Sequence, residues 1–317
     1  MLKQSIAIFG ATGHIGKNLS AYFCKEENFE VFLFTRDEKK LEKILAELKL
    51  KNNSSIKTYN EFNDSKYDTI INCVGNVSNL WKTSDPTNII KAEEESIKIN
   101  ETIDTIALEY LKKFPKTKLI NFSSGSIYGG KFTTPIKDTI LIDEKNQKKI
   151  DIKSPYTIAK INSEVKHRKL KNFNIIDLRL FSFFSKFMDL KSKFFLSDAV
   201  YAIKQKKKFL IDGTDFYRDY IHPKDLFSYV KKCIYKDNLN DVFDLCSKKP
   251  IGKFELLNFL KVEYGLEYEI NSNVKFPNPT GFKINYYSES KKAEILGHKS
   301  EYSSRETISD QLSFLIE

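Results

Sequence analysis

The segment "SIAIFGATGHIG", residues 5–16, carries the clearest sequence signal for the fold class. Its apolar first half predicts a short buried strand, and glycines then recur at every third position before a helical pattern that runs through Cys24. Glycines between a strand and a helix permit a tight turn and let backbone N–H groups approach a pyrophosphate, which the helix N-terminus also attracts. The pattern therefore predicts a dinucleotide-binding turn. Its candidate cofactor-binding residues are Gly10, Thr12, Gly13, His14, Ile15 and Gly16.

Strands and helices alternate through the first half of the chain. Apolar runs predict strands at 29–36, 67–75, 118–125 and 174–184, and helical periodicity covers 37–50 and 93–114. Such alternation implies right-handed crossovers and a parallel sheet covered on both faces. We therefore predict an α/β, doubly wound, Rossmann-type sheet with a smaller, discontinuous C-terminal substrate domain.

The second half of the chain has a less regular pattern. Its predicted elements are helices at 194–208, 253–265, 289–297 and 303–317, and strands at 208–211 and 241–247. We assign residues 1–181 to the dinucleotide-binding domain, with 215–248 also contributing to it. Residues 182–317 form the predicted substrate-binding part.

Composition and charge argue against several classes of protein. The formal net charge of +10 comes from 52 basic and 42 acidic residues, but the lysines are spread along the chain, with only short clusters such as 204–208. We therefore expect no nucleic-acid partner, and a phosphate-bearing small molecule suits the charge. The four cysteines form no CxxC pair and the histidines show no ligand spacing, so no disulfide framework or metal site is expected. No signal-peptide pattern or membrane-length apolar run occurs, which favours a cytoplasmic chain with no membrane partner.

The segment "SPYTIAK", residues 154–160, carries the clearest catalytic signal. Ser154-Pro155 predicts a helix start, and the i, i+4 spacing places Tyr156 and Lys160 on one helix face. An ammonium near a phenol favours the phenolate, so we expect a lowered tyrosine pKa and a residue able to act as general acid or base.

Four segments together resemble the extended short-chain dehydrogenase/reductase family. They are "GATGHIG" (10–16), "SSGSIYG" (123–129), "SPYTIAK" (154–160) and "RDYIHPKDL" (218–226), in that order along essentially the whole chain. Well-known members of this family are nucleotide-sugar epimerases, dehydratases and reductases. The resemblance implies a catalytic triad of Ser124, Tyr156 and Lys160, in which Tyr156 moves the proton and Lys160 also holds the nicotinamide ribose. Asn100 matches an asparagine that the family carries on a helix.

The residues after the second predicted strand bear on the choice of cofactor. Thr35 aligns with the acidic residue that would select NAD, and Arg36 follows it, able to pair with a 2′-phosphate. NADP(H) is therefore favoured, while Asp37 keeps NAD(H) open. Cys73 and Gly75, at the end of the strand at 67–75, are further cofactor-binding candidates.

The resemblance also implies a substrate site. Arg218 matches an arginine that contacts the diphosphate of a nucleotide-sugar, and Ser124, Ser126, Tyr156 and Ser182 are the other substrate-binding candidates. Asp219 and His222 are expected to be structural. In the family's dehydratases an Asp-Glu pair follows the catalytic hydroxyl residue. Here Gly125 and Ser126 stand in those places, so a dehydratase is not expected.

These patterns favour an NADPH-dependent reductase of a nucleotide-linked keto-sugar of the 4-keto-6-deoxy type, with Tyr156 as the general acid. A nucleotide-sugar epimerase with tightly bound NAD(H) is the alternative, and a non-catalytic dinucleotide sensor is a more distant one. The resemblance also implies a homodimer formed through the helices around Tyr156 and Lys160.

Overall fold

The computed structural model describes residues 3–50, 54–75, 86–130, 132–147, 154–192, 194–271 and 283–316. The strands are β1 (Gln4–Phe9), β2 (Phe29–Phe34), β3 (Ser54–Lys57), β4 (Thr69–Asn72), β5 (Lys118–Ser124), β6 (Ile175–Leu180), β7 (Ser182–Phe183), β8 (Phe209–Ile211), β9 (Tyr217–Arg218), β10 (Tyr220–Ile221), β11 (Asn240–Leu245), β12 (Ile251–Gly252), β13 (Tyr268–Ile270) and β14 (Asn285–Tyr286). The α-helices are α1 (His14–Phe23), α2 (Glu38–Glu47), α3 (Pro86–Lys113), α4 (Pro155–Lys169), α5 (Phe195–Gln205), α6 (Pro223–Ile234), α7 (Lys253–Tyr264) and α8 (Ser304–Ile316).

Seven parallel strands form the central sheet, in the order β11-β6-β5-β4-β1-β2-β3. This confirms the predicted doubly wound fold. The strand order reverses between β4 and β1, and in open α/β sheets ligands bind at the carboxyl ends of the strands on either side of such a reversal. The glycine turn after β1 and the residues after β4 and β5 therefore share one edge of the sheet.

The two faces of the sheet are buried against different sets of side chains. Alternate residues of β1 point to opposite faces, so Ile6 and Ile8 belong to one apolar core while Ala7 and Phe9 belong to the other. A third core, formed by α5, α7, α8 and neighbouring short strands, lies within residues 184–316. The domain boundary at 181/182 stays a prediction.

Two elements differ from the sequence analysis. The short edge strand β3 was not predicted as a strand, because its four residues, Ser-Ser-Ile-Lys, include a single apolar side chain. The prediction of a helix over 289–297 is wrong. The chain there forms only a 3₁₀ turn over Lys292–Leu296, which ends at Gly297 with φ +93°. Ser288 and Ser290 accept backbone N–H groups from residues 290 and 292, which offers the backbone an alternative to helix formation.

Among the described helices, none combines the length and the apolar character that crossing a bilayer would require.

Candidate active site

The glycine turn between β1 and α1 depends on missing side chains. Gly10 adopts φ +73°, in the left-handed region that favours glycine. A Cβ on Gly16 would lie 2.1 Å from the carbonyl oxygen of Gly10, so only glycine lets α1 pack this close to the turn. Gly13 is exposed at the N-cap of α1, whose first turn has backbone N–H groups without intrahelical partners. The turn is therefore suited to receive a pyrophosphate.

The side chains between the glycines mainly anchor the turn. The Nε2 atom of His14 lies 2.7 Å from Ser185 Oγ, and its ring packs against Phe183 with 4.7 Å between centroids. Burial lowers the pKa of His14 to about 3, so the imidazole is neutral at physiological pH. Ile15 packs against the apolar core, and Thr12 is half-buried.

The residue that follows β2 is not acidic. Thr35 is buried, and its hydroxyl accepts the N–H of Asp37 at 3.0 Å. Asp37 is the N-cap of α2, and its carboxylate accepts the N–H of Lys40 at 3.0 Å. Arg36, between them, is exposed. The acid that follows Arg36 thus caps α2 through one carboxylate oxygen, while the arginine faces solvent.

Tyr59 joins the glycine turn to the end of β2 and was not among the predicted site residues. Its hydroxyl accepts the N–H of Gly10 at 3.0 Å, and its ring contacts Phe9 and Phe34. Burial raises its pKa to about 12, and nearby Arg36 opposes this to a small extent. Tyr59 is the second residue after β3, and recognising β3 in the sequence would have placed it at the same sheet edge.

The ammonium of Lys160 lies at the end of β4. Its Nζ donates to the carbonyl oxygens of Val74 at 3.0 Å and Phe122 at 2.8 Å. A Cβ on Gly75 would lie 3.8 Å from this Nζ, so Gly75 lines the same corner. Cys73 is buried beside it, and burial raises the pKa of its thiol. Burial also lowers the pKa of Lys160 to about 8.

The structure brings Ser124, Tyr156 and Lys160 together. Tyr156 and Lys160 lie one turn apart on α4, with the ammonium 5.9 Å from the centroid of the tyrosine ring. Ser124, at the end of β5, lies beside the Tyr156 phenol and acts to lower its pKa. Ser124 Oγ also accepts the N–H of Ser126 at 3.1 Å, which fixes its orientation. A phenol, a hydroxyl and a cation thus converge where the carboxyl ends of β4 and β5 meet α4.

The expected lowering of the tyrosine pKa does not occur in this structure. Burial is the largest influence and raises the pKa of Tyr156, the neighbouring phenol of Tyr286 raises it further, and the hydrogen bond from Ser124 only partly opposes them. The reason is geometric: the ammonium of Lys160 is directed at two backbone carbonyls. Tyr156 is therefore poised as a protonated acid rather than as a phenolate.

A second tyrosine, Tyr286 of β14, lines the site, and sequence analysis missed it. Its hydroxyl lies 3.4 Å from Ser124 Oγ, and Ser126 acts to lower the pKa of its phenol. Its ring packs edge-on against Phe132 and Phe181. Tyr286 is 162 residues from Ser124 along the chain, and no motif or spacing links the two.

Arg218 lies on β9, close to Tyr286. Its Nη1 donates to the carbonyl oxygens of Tyr217 at 2.7 Å and Lys283 at 3.0 Å. The guanidinium lies 4.2 Å from the centroid of the Phe216 ring and 5.8 Å from that of Tyr286. These contacts hold the arginine against the wall of the candidate site.

The residues that follow Arg218 form hydrogen bonds with two distant parts of the chain, the segment after β11 and α8. The carboxylate of Asp219 accepts the N–H of Ser247 at 3.1 and 3.0 Å, just after β11. His222 Nε2 lies 2.9 Å from Asp310 of α8. These contacts agree with the expectation that Asp219 and His222 are structural.

Asn100 and Ser182 have described contacts away from the triad. The Asn100 amide donates to Ser96 O at 2.8 Å, within α3. Ser182 is half-buried in β7, which pairs with β10. Their proposed catalytic and substrate-binding roles stay predictions.

A buried charge cluster lies behind Lys160. His167 of α4 is completely buried, with Nε2 2.8 Å from Asp104 and Nδ1 2.9 Å from Asp177. Asp177 also accepts a hydrogen bond from Arg168 at 2.7 Å. Both acids raise the pKa of Lys160 against the larger effect of burial. The cluster therefore links α3, α4 and β6 and supports the charge of the triad lysine.

We expect His167 to be protonated at pH 8. Burial opposes the charged imidazole, but Asp177 and Asp104 outweigh it and raise the pKa to about 10. Because this lies above the ordinary value of 6.5, the charged imidazole contributes stability fully below pH 6.5, and the contribution is lost as pH rises to about 10. A long-range ¹H–¹⁵N spectrum at pH 8 should show imidazolium shifts for His167 and neutral shifts for His14, each assigned by its His→Gln variant. Neutral shifts for His167 at pH 8 would contradict the charged cluster.

A model of the NAD dependent epimerase/dehydratase family matches residues 6–245. The chain belongs to this family. Membership makes it an enzyme of the NAD(P)-dependent oxidoreductase or epimerase type and confirms the resemblance to extended short-chain dehydrogenases/reductases.

Three proteins that resemble this chain match it over nearly its whole length. The uncharacterized protein MJ1055 of Methanocaldococcus jannaschii is 22% identical over 94% of this chain and 92% of its own length. A UDP-glucose 4-epimerase of Thermotoga maritima, solved with UDP-glucose, superposes with a TM-score of 0.76 at 17% identity, covering 98% of each chain. A UDP-glucuronic acid 4-epimerase of Bacillus cereus, solved with UDP-glucuronic acid and NAD, has a TM-score of 0.74 at 15% identity, covering 98% of this chain and 99% of its own. At these identities the two structures bear on the fold alone.

The residues present fit the nicotinamide dinucleotide that the epimerase/dehydratase family uses. Gly16 lets α1 pack closely against the left-handed turn at Gly10, and the N-terminus of α1 is exposed at Gly13, where a pyrophosphate would bind. Gly75 and Lys160 line the end of β4, beside Tyr156. When bound, the dinucleotide supplies or accepts the hydride.

Proposed function

We propose that the chain is an NADPH-dependent reductase of a nucleotide-linked keto-sugar of the 4-keto-6-deoxy type. The observation that carries the proposal is the carboxyl end of β2, where the neutral Thr35 is followed by the exposed Arg36. NADPH is the cofactor of net reduction, consumed and exchanged in each turnover. An epimerase returns its hydride to the same substrate and needs no such exchange.

The geometry at the end of β2 supports NADPH over NADH. A carboxylate that binds the ribose 2′-hydroxyl selects NAD, and Thr35 cannot provide that charge. Asp37 is the neighbouring acid, but its carboxylate already accepts the N–H of Lys40. The guanidinium of Arg36 can bind a 2′-phosphate through charge-assisted hydrogen bonds.

Packing next to Ser124 argues against a dehydratase. A Cβ on Gly125 would lie 2.4 Å from the Phe181 ring, so an acidic side chain has no room there. The hydroxyl of Ser126 accepts a hydrogen bond from Thr157 at 2.9 Å and carries no charge. The residues after Ser124 therefore cannot supply the acid and base that elimination of water requires.

The triad is arranged for protonation of a carbonyl oxygen. Ser124 donates a hydrogen bond to the substrate oxygen and orients it. Tyr156, kept protonated by burial, gives its proton to that oxygen as hydride reaches the carbon. Lys160, whose ammonium donates to the carbonyl oxygens of Val74 and Phe122, would hold the nicotinamide ribose beside the phenol.

A nucleotide-linked substrate is supported by the surroundings of Arg218. Its guanidinium is held by backbone carbonyls and the Phe216 ring, which leaves its charge available to a diphosphate. The Thermotoga maritima and Bacillus cereus epimerases were solved with UDP-sugars, which makes this substrate class reasonable here.

Cofactor content distinguishes the reductase from the epimerase. The protein should be purified without added cofactor, denatured, and its released nucleotide identified, while the cofactor-free protein is titrated with NADPH and NADH. An exchangeable site that prefers NADPH supports the reductase. Stoichiometric NAD(H) that survives purification would overturn it in favour of the epimerase, and binding of neither would overturn the dinucleotide site. With 4-deuterated NADPH and a keto-sugar nucleotide, the label should appear in the product.

Arg36→Ala is expected to weaken NADPH binding by ~10–100-fold, because hydrogen bonds to charged groups contribute about 1.5–3 kcal/mol. NADH affinity should change by less than about twofold, since NADH has no 2′-phosphate. Isothermal titration with both cofactors measures the effect. Lys43→Ala, which removes one exposed charge further along α2, is the control. Equal losses for the two cofactors would contradict the role of Arg36.

Homodimer formation through the helices around Tyr156 and Lys160, and a cytoplasmic location, stay predictions that accompany this function.

A further inference from the structure

A row of polar side chains crosses the middle of the central sheet. Asn72 of β4 and Asn121 of β5 are direct partners in the strand register, and Asn121 is also the partner of Asp177 on β6. The amide of Asn72 donates to Asn121 Oδ1 at 2.9 Å, and the amide of Asn121 donates to Asp177 Oδ1 at 2.6 Å. All three side chains are buried, and we call them the polar ladder.

Packing alone does not account for the polar ladder. Two residues earlier on the same strands, and therefore on the same face of the sheet, the corresponding row is apolar and belongs to the core; it consists of Ile70, Leu119 and Ile175. Buried amides are unfavourable unless their polar groups are paired, whereas apolar side chains would fill the row without that requirement. The polar ladder therefore points to a role beyond filling the core.

One end of the polar ladder lies beside the triad lysine. Asn72 Oδ1 accepts the N–H of Val74 at 3.1 Å, and the carbonyl oxygen of Val74 accepts the ammonium of Lys160 at 3.0 Å. The second acceptor of Lys160 is Phe122, the residue that directly follows Asn121. Both carbonyl groups that hold Lys160 thus belong to chain segments that the polar ladder fixes.

The other end of the polar ladder sets the direction of its hydrogen bonds. Burial opposes the charge of Asp177, but His167, 2.9 Å away, outweighs burial and holds the pKa of Asp177 below its usual value. An ionised carboxylate can only accept, so Asn121 must turn its NH₂ group toward Asp177 and its oxygen toward Asn72. Asn72 must then turn its own NH₂ group toward Asn121, which leaves its oxygen for the N–H of Val74.

We propose that Asn72 and Asn121 are positioning residues that hold Lys160 at the end of β4, in place for the dinucleotide. An ammonium that is already fixed loses less conformational freedom when the cofactor binds. This inference rests on the proposed role of Lys160 at the nicotinamide ribose. It does not depend on the identity of the substrate, and it applies equally to a reductase and to an epimerase.

The pKa of Lys160 reports on the polar ladder because Asn72 is uncharged. Burial lowers this pKa to about 8, against the effect of the acidic groups that face the ammonium. These groups are Asp104 of α3, Asp177 of β6, Cys73 after β4 and Glu164 of α4, and the ring of Tyr156 lies 5.9 Å away. Replacing Asn72 leaves all of them in place and displaces only an acceptor of the ammonium. Loss of that hydrogen bond disfavours the charged form, so the pKa should fall.

The test follows Lys160 by NMR through a pH titration of the full chain labelled with ¹³C at the lysine ε-carbons, where the signal missing from Lys160→Arg identifies it. Asn72→Leu should lower the midpoint by about one pH unit. It should also raise the Kd of NADPH and of NADH alike by about tenfold, because both carry the nicotinamide ribose. Asn72→Asp keeps an oxygen for the Val74 N–H and should not lower the midpoint.

Asn174→Leu is the matched control. The Asn174 side chain also accepts a backbone N–H, that of Leu239 at 2.9 Å, but it lies at the amino end of β6, away from Lys160. Its replacement removes the same kind of hydrogen bond and should leave the midpoint and both Kd values unaltered.

The outcomes separate this inference from the role on which it rests. An unchanged midpoint in Asn72→Leu would overturn the positioning role, whatever happens to the Kd values, and so would an equal fall in Asn72→Asp. If Lys160→Met binds both cofactors as tightly as the wild type, the proposed role of Lys160 is wrong, while the midpoints still decide whether the polar ladder positions its ammonium. Asn72→Ala replaces the leucine variant if that variant does not fold, and thermal unfolding of each variant checks the fold.

Discussion

Replacing Tyr156 by phenylalanine is expected to lower kcat by about a thousandfold, within the ~10²–10⁴-fold range that a positioned general acid contributes. The phenyl ring keeps the packing on α4, but it has no proton to give to the carbonyl oxygen. The Kd of NADPH should change by less than about twofold. Single-turnover kinetics and cofactor titration on the same preparation measure both quantities.

Tyr286→Phe is the matched control, because it also removes a phenolic hydroxyl next to Ser124. Loss of this hydroxyl should disturb only the orientation of Ser124 and lower kcat by less than about tenfold. If Tyr286→Phe abolishes turnover and Tyr156→Phe does not, the proton donor has been assigned to the wrong tyrosine.

Replacing Arg179 by methionine is expected to lower the free energy of unfolding by about 3–5 kcal/mol, the usual effect of breaking a buried ion pair. Arg179 is fully buried on β6, and its guanidinium donates to Glu164 at 3.0 and 2.6 Å. It also donates to Tyr128 at 2.8 Å and lies 3.6 Å from Asp244. Without it, two carboxylates remain buried and uncompensated. Urea unfolding at pH 7 measures the change.

Lys208→Met is the control for this experiment. Lys208 and Glu269 form an exposed pair at 3.0 Å, and exposed pairs typically contribute about 0–1 kcal/mol. Similar losses in the two variants would mean that burial does not govern the effect, and a loss below about 1 kcal/mol in Arg179→Met would contradict the buried pair.

The fold and the triad were predictable because local patterns encode them. The glycine turn, the alternation of strands and helices, and the Tyr156–Lys160 spacing depend on residues close together in sequence. Their geometry follows from the period of a helix and the shared direction of parallel strands. Ser124 came from a motif at the end of a strand.

The site residues that lie outside these local patterns could not be predicted in this way. Tyr286 reaches Ser124 through tertiary packing, and it belongs to no recognisable motif. Tyr59 was missed because the strand before it is too short and polar to be recognised. The direction of the Tyr156 pKa also depends on burial, which residue spacing does not contain.

The strip from Arg218 to His222 limits how this chain can vary in length. Arg218 faces the site, Asp219 binds the backbone after β11, and His222 contacts α8. Between them, Tyr220 and Ile221 enter two different apolar cores. In extended backbone a one-residue shift sends every side chain to the opposite face. A substitution in the strip alters one contact, whereas a single insertion or deletion would misdirect all five, so we expect related chains to differ here in residue type but not in length.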